Sequence, residues 1–136
     1  MRNTTHLRNL MPAFAVAGLL LGGLSLTACD KGGSEETAAA NPEAVKEAKN
    51  VWDTRCVTCH GNNGLGDGPG AAALNPKPRS FSDKAWQNKV NDEHIAKVIV
   101  EGGAAVDLSE AMAANPDLKD KPEVVAELVK IVRSFK

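Results

Sequence analysis

Tyrosine is absent from the 136-residue chain, and tryptophan and phenylalanine together make up only 4% of it. A domain this poor in aromatics buries a thin core by itself, so a large apolar partner inside it is the first thing to look for. No alternating apolar and polar run marks a strand, and no internal repeat is visible. Charge of one sign is lacking too: 16 Lys and Arg stand against 17 Asp and Glu. Without a basic patch the chain has no electrostatic footprint for nucleic acid. Cysteines number three, so any pairing leaves one over.

What is present is Cys56-Val57-Thr58-Cys59-His60. Two thiols spaced this way can each add across one vinyl group of a porphyrin, and the histidine that follows is then placed under the iron as its proximal ligand. Three other chemistries compete for these residues. Structural zinc needs four N or S ligands, and outside the motif only Cys29, His6 and His94 remain. A thioredoxin-like thiol pair belongs in a βαβ surround, which the sequence does not offer. A structural disulfide would leave His60 without a role. Covalent haem is the reading that uses all three side chains.

The first residues read as an export signal. Arg2 and Arg8 supply a positive start, and Phe14 to Leu26 is an apolar stretch too short to span a membrane, which takes about 20 residues. It ends in Leu26-Thr27-Ala28-Cys29, which resembles the bacterial lipobox. The resemblance implies cleavage after Ala28 and lipidation of Cys29, which would account for the odd cysteine; ordinary cleavage near Ala28 would leave it a free thiol. The expected organisation is a signal peptide at 1–28, a lipid-anchored flexible linker at 29–41 and one domain at 42–136. Loss of residues 1–28 removes two arginines and no acid, moving the net charge from −1 to about −3.

Within the domain, Asn41-Pro42 reads as an N-cap followed by proline at the first helical position. Val45, Ala48, Trp52, Cys56 and Cys59 then recur at helical steps on one face, and Gly61 is placed to end the helix in a left-handed cap. Residues 61–70 contain five glycines. They lack the Lys-Ser/Thr of a phosphate-binding loop and the acidic ligands of a calcium loop, and read instead as backbone turning tightly past a flat cofactor edge. Asn75-Pro76-Lys77-Pro78 continues as rigid, extended loop. Ser82 or Asp83 caps a short helical turn carrying Trp86, and Asn91 caps a helix bearing Ile95, Val98 and Ile99 that stops at Gly102-Gly103. Ala104 to Lys119 is irregular and holds Met112. Pro122 opens a last helix with the apolar stripe Val125, Leu128, Val129, Val132 and Phe135. The fold class is therefore all-α, with about four helices and long loops.

A haem iron bound by His60 needs a sixth ligand or an open site. Met1 and Met11 lie in the export segment, which leaves Met112 as the thioether; His94 is the rival nitrogen ligand. From Asn41-Pro42 to the last helix, the order of helix, CxxCHG, Gly/Pro loop, methionine loop and apolar terminal helix resembles the class I c-type cytochromes of the monohaem bacterial periplasmic type. The likeness is strongest at Gly64-Leu65-Gly66-Asp67-Gly68-Pro69. The resemblance implies a small cytochrome c fold wrapped around one covalent haem. It makes Cys56 and Cys59 the thioether attachments, His60 the proximal and Met112 the distal ligand. A proline carbonyl, Pro69 first and Pro76 second, would orient His60. Arg79 and Trp86 would donate to a haem propionate, and Ala48 and Trp52 would form the face on which the first and last helices cross. Two departures stand out. Ala113-Ala114 rather than proline follows Met112, which loosens the expected hold on the ligand, and Ile131 stands where the family often has an aromatic in the last helix.

The resulting expectation is a lipid-tethered, monomeric electron carrier in the cell envelope, facing the periplasm from the inner or outer membrane. It would exchange single electrons with transient redox partners and would not be an enzyme. The alternatives are a gas- or peroxide-reactive haem sensor or enzyme with a displaceable Met112, or a fixed haem subunit of a larger complex. Peroxide chemistry would call for distal acid–base groups that the sequence does not identify.

Overall fold

The computed structural model describes residues 41–136. The expected export segment, Cys29 and the linker up to residue 40 lie outside the described residues. The described elements, in order, are α1 (Pro42–Val51), a π turn (Trp52–Cys56), α2 (Val57–His60), α3 (Lys84–Lys89), α4 (Asp92–Glu101) and α5 (Pro122–Ser134). Single 3-10 turns stand at Pro69–Ala71, Ala104–Val106 and Pro116–Leu118. No strand occurs among the described residues, and no helix there is long and apolar enough to cross a membrane. The backbone stays right-handed from α1 through the π turn into α2. These three segments form one continuous rod, so the described residues make four helical rods, an all-α fold.

The helix starts are local chemistry. Asn41 accepts a hydrogen bond from the Glu43 N–H at 3.1 Å, and Pro42 needs no partner for its nitrogen. Asp83, rather than Ser82, caps α3 by accepting from the Ala85 and Trp86 N–H groups. Asn91 accepts from the His94 N–H at 2.9 Å and opens α4, while Asp92 and Glu93 complement the helix dipole. The end of α2 differs from the expected left-handed cap. Gly61 has φ 76° but ψ 161°, so the chain leaves extended and folds back over the helix. Gly66 N–H then donates to the His60 carbonyl at 2.9 Å and Gly68 N–H to that of Cys59 at 3.2 Å. The loop thereby satisfies carbonyls that the end of α2 would otherwise leave open.

The π turn has a reason in the spacing of the inward residues. Ala44, Ala48, Trp52, Cys56 and His60 stand four apart, and an ordinary helix would carry such a row about 40° further round at each step. The Val57 N–H reaches back five residues to the Trp52 carbonyl, absorbing one residue and returning the row to the inner side. Ala44, Ala48, Trp52 and His60 are buried, and Cys56 is half-buried. Val45, expected on this face, is exposed; Ala44 takes the inward position.

α5 packs against both α1 and α4. The core joins Ala44, Ala48 and Val51 to Ile95, Ile99, Leu118, Val124, Val125, Leu128, Val129 and Val132. Leu118 and Leu128 are the largest fully buried side chains, each stabilising the fold by about 1.5–3 kcal/mol relative to exposure. All four aromatics of the described residues gather in one cluster. Phe81 lies 6.2 Å from Trp52, 5.5 Å from Trp86 and 6.4 Å from Phe135 between ring centroids, and Trp52 lies 5.3 Å from Phe135. In a chain short of aromatics, those of the described residues are concentrated beside the rod that carries Cys56 and His60.

Candidate haem-attachment site

The last two turns of the rod carry Cys56, Cys59 and His60, so one rigid element sets their relative placement. Both cysteines are free and half-buried. Burial is the main cause that pushes the Cys56 thiol up to about 11, with the nearby Arg55 charge opposing it. A thiol held protonated in this way is a poor redox nucleophile, which removes the support for a thioredoxin-like pair. Among the described residues no group of three or more His, Cys, Asp or Glu side chains is arranged to hold a metal ion. The structural-zinc reading therefore has no ligand set there.

His60 is 8% exposed, and its ring stacks on Phe81 at 4.4 Å and 18°. Burial pushes its pKa below the ordinary histidine value, with the Arg79 carbonyl acting in the opposite direction. The ring is therefore neutral near pH 7. Its Nδ1 lies 3.2 Å from the Arg79 carbonyl. Nδ1–H donates there, which leaves the Nε2 lone pair for a metal, the tautomer a ligating imidazole needs.

The orienting carbonyl is a correction to the sequence reading, which placed it at Pro69 or, second, Pro76. Pro69 opens a 3-10 turn that folds onto α2 instead: a side-chain carbon at Gly70 would lie 3.1 Å from the Thr58 carbonyl oxygen and 3.5 Å from Cys59 Sγ. The segment that reaches His60 is 78–81, fixed by Phe81 N–H donating to the Gly64 carbonyl at 2.6 Å. Gly66 permits that approach. Its φ is +76°, and a Cβ there would stand 2.3 Å from the Pro78 carbonyl oxygen.

The remaining expected residues are more dispersed. Arg79 contributes its backbone; its half-exposed side chain lies 3.5 Å from the Asp83 carboxylate. Trp86 packs on Phe81. Met112 is half-buried at the C-terminal end of α4, where its carbonyl accepts from the Gly103 N–H at 2.8 Å and its own N–H donates to Ser109. His94 sits in the first turn of α4, at the opposite end of that helix from Met112. A groove of about 730 Å³ between α4 and α5 is lined by Ala96, Val100, Val125 and Val129 and by none of these site residues.

Sequence reasoning missed Phe81 as the ring beneath His60 and the Arg79 carbonyl as its partner. It also missed Arg55, whose guanidinium reaches Asp117 and Asn115. A backbone carbonyl has no sequence signature, and the Arg55 contacts span 60 residues or more. Phe81 alone was findable, as one of very few aromatics. Two free thiols and a neutral buried imidazole on one rod, with an aromatic wall beside them, fit a covalently attached haem.

Residues 45–130 match the family model described as Cytochrome c. Among curated proteins none matches the chain. Among solved structures it is similar to the KustC0563 c-type cytochrome, at 35% identity over 65% of this chain and 96% of that one, with a TM-score of 0.47.

Proposed function

Because this chain belongs to the cytochrome c family, its model matching residues 45–130, and is a haem-based electron carrier binding covalent haem c, we propose that it works as a lipid-anchored, monomeric shuttle between redox partners of the cell envelope. The observation that carries the carrier reading is the setting of His60: buried, with Nδ1 engaged at the Arg79 carbonyl and Nε2 left free.

When bound, haem supplies a one-electron couple at its iron. The chain's own residues do the rest. The Cys56 and Cys59 sulfurs would fix the ring through thioether bonds, so that the cofactor is not lost between encounters. His60 would ligate through Nε2, and the Arg79 carbonyl at Nδ1 would hold the imidazole plane and raise its basicity. Trp52, Phe81, Trp86 and Phe135 keep water from the His60 side, which limits the solvent rearrangement that accompanies a change of charge. Met112 is the distal ligand in this reading. Its soft thioether would favour the reduced form and raise the potential. With His60 and Met112 both engaged, no position would be left for a substrate, which supports a carrier over an enzyme.

Leu26-Thr27-Ala28-Cys29 supports the anchor. A lipidated Cys29 followed by a short polar linker would keep the domain near membrane partners and raise its effective concentration there. Donor and acceptor would dock transiently through small interfaces. Film voltammetry of the holoprotein tests the function: a reversible one-electron wave, unchanged by peroxide, is expected. A catalytic current with peroxide would instead favour an enzyme with a displaceable methionine.

A further inference from the structure

The segment that carries Met112 has no α-helix of its own and lacks the stiffening of a following proline, since Ala113-Ala114 comes next. What it has is a set of long-range ties. On one side Asn115 grips α4: its N–H donates to the Val100 carbonyl at 2.9 Å and its side-chain amide to the Ile99 carbonyl at 2.8 Å. On the other side it meets the cysteine-bearing rod, where Arg55 Nη1 donates to Asn115 Oδ1 at 3.2 Å. The same guanidinium holds Asp117 with two parallel bonds, of 2.9 and 3.0 Å. Arg55 directly precedes Cys56. One side chain therefore links the attachment motif to residues three and five positions beyond Met112.

We propose that Arg55 is a positioning residue for the distal ligand, locking the Met112 segment to the haem-attachment rod through Asn115 and Asp117. This rests on Met112 being that ligand. The fork of the guanidinium matters because two parallel bonds to Asp117 fix an angle as well as a distance, while its contact with Asn115 fixes the same residue that holds α4. Lysine, a point charge, would keep the attraction and lose the geometry. The pair is half-exposed, with side-chain exposures of 45% and 49%, so the effect is a bias on ligand exchange and not a condition for folding.

The test is imidazole binding to the oxidised holoprotein, read from the absorption spectrum in wild type, Arg55→Gln, Arg55→Lys, Asp117→Asn, Met112→Ala and Lys121→Gln. Lys121 ties α1 to the start of α5 through Glu47 at 2.5 Å and reaches Asp117 only through its charge, so it serves as a comparable surface tie that bonds to neither Asn115 nor Asp117. Arg55→Gln and Asp117→Asn should bind imidazole about two- to tenfold more tightly than wild type and weaken the sulfur-to-iron band at the red end. Arg55→Lys should fall between, and Lys121→Gln should match wild type. Should Arg55→Gln fail to mature, Asp117→Asn carries the same comparison. Wild-type behaviour of Arg55→Gln and Asp117→Asn, alongside a strong gain in Met112→Ala, would overturn the role of Arg55 and leave Met112 in place. An equal shift in Lys121→Gln would also overturn it, as general loosening. No gain in Met112→Ala would instead remove the distal-ligand reading beneath the proposal.

Discussion

Cys56, Cys59 and His60 lie within five residues on one continuous rod, and the glycine loop that follows folds back onto that rod's own carbonyls. Met112 lies between α4 and α5 in a stretch with only 3-10 turns; its backbone bonds to Gly103 and Ser109, and Asn115, three residues on, ties the stretch to Val100, Ile99 and Arg55. One side is placed by local geometry, the other by ties to distant elements. The contrast suits the two jobs. Attachment must be permanent and is built where a helix fixes distances by itself. In the proposed reading Met112 holds the distal position, which would decide whether the iron stays closed, with its firmness set by a few separable contacts.

The largest way to break the attachment side is Cys56→Ala with Cys59→Ala. No covalent haem should remain after denaturing electrophoresis, and the apo-domain, with its small aromatic content, should lose its cooperative melt. A haem band that survived would put the attachment elsewhere. Next comes the methionine side: Met112→Ala should raise imidazole affinity at least about tenfold, roughly 1.4 kcal/mol, and admit carbon monoxide to the reduced protein while the haem stays attached. If the spectrum is untouched, Met112 is not at the iron.

Gly66→Ala probes the local scaffold under His60. A methyl group at φ +76°, 2.3 Å from the Pro78 carbonyl oxygen, should destabilise the fold by about 1–3 kcal/mol, seen in thermal melts, and disturb the carbonyl at Arg79. An unchanged melting temperature would show that the 78–81 segment is not pinned there.

The smallest effect concerns acid. Hydrogen bonding from Arg55 holds the Asp117 carboxyl below its usual range. A carboxylate whose pKa is lower when folded stabilises the fold above the ordinary carboxylate range, and that stabilisation is lost as pH falls through the folded value. Any stability gap between wild type and Asp117→Asn at neutral pH should therefore close below about pH 4, and it should be modest because the pair is exposed. A gap that widened with acid would contradict this sign.

Local signals were legible in the sequence. Asn41, Asp83 and Asn91 cap helices with their own side chains, Pro122 starts one, and the CxxCH spacing names its chemistry. What escaped depends on packing between distant segments. The π turn resets a row of inward residues whose drift appears only once α5 and the aromatics define the inside. Leu118, in a stretch that reads as irregular, is fully buried because the 3-10 turn at Pro116–Leu118 packs beneath α4 and α5. Pro69 was a reasonable candidate for orienting His60, but the loop uses its glycines to lay Pro69 over α2 and bring the Arg79 carbonyl to the ring.

The most direct test is the absorption spectrum of the mature holoprotein in both oxidation states, before and after carbon monoxide. The account predicts low-spin spectra throughout, a weak red-end band in the oxidised form, and no early change with carbon monoxide. A high-spin spectrum, or one that carbon monoxide shifts at once, would mean an open distal site and contradict a carrier closed by His60 and Met112.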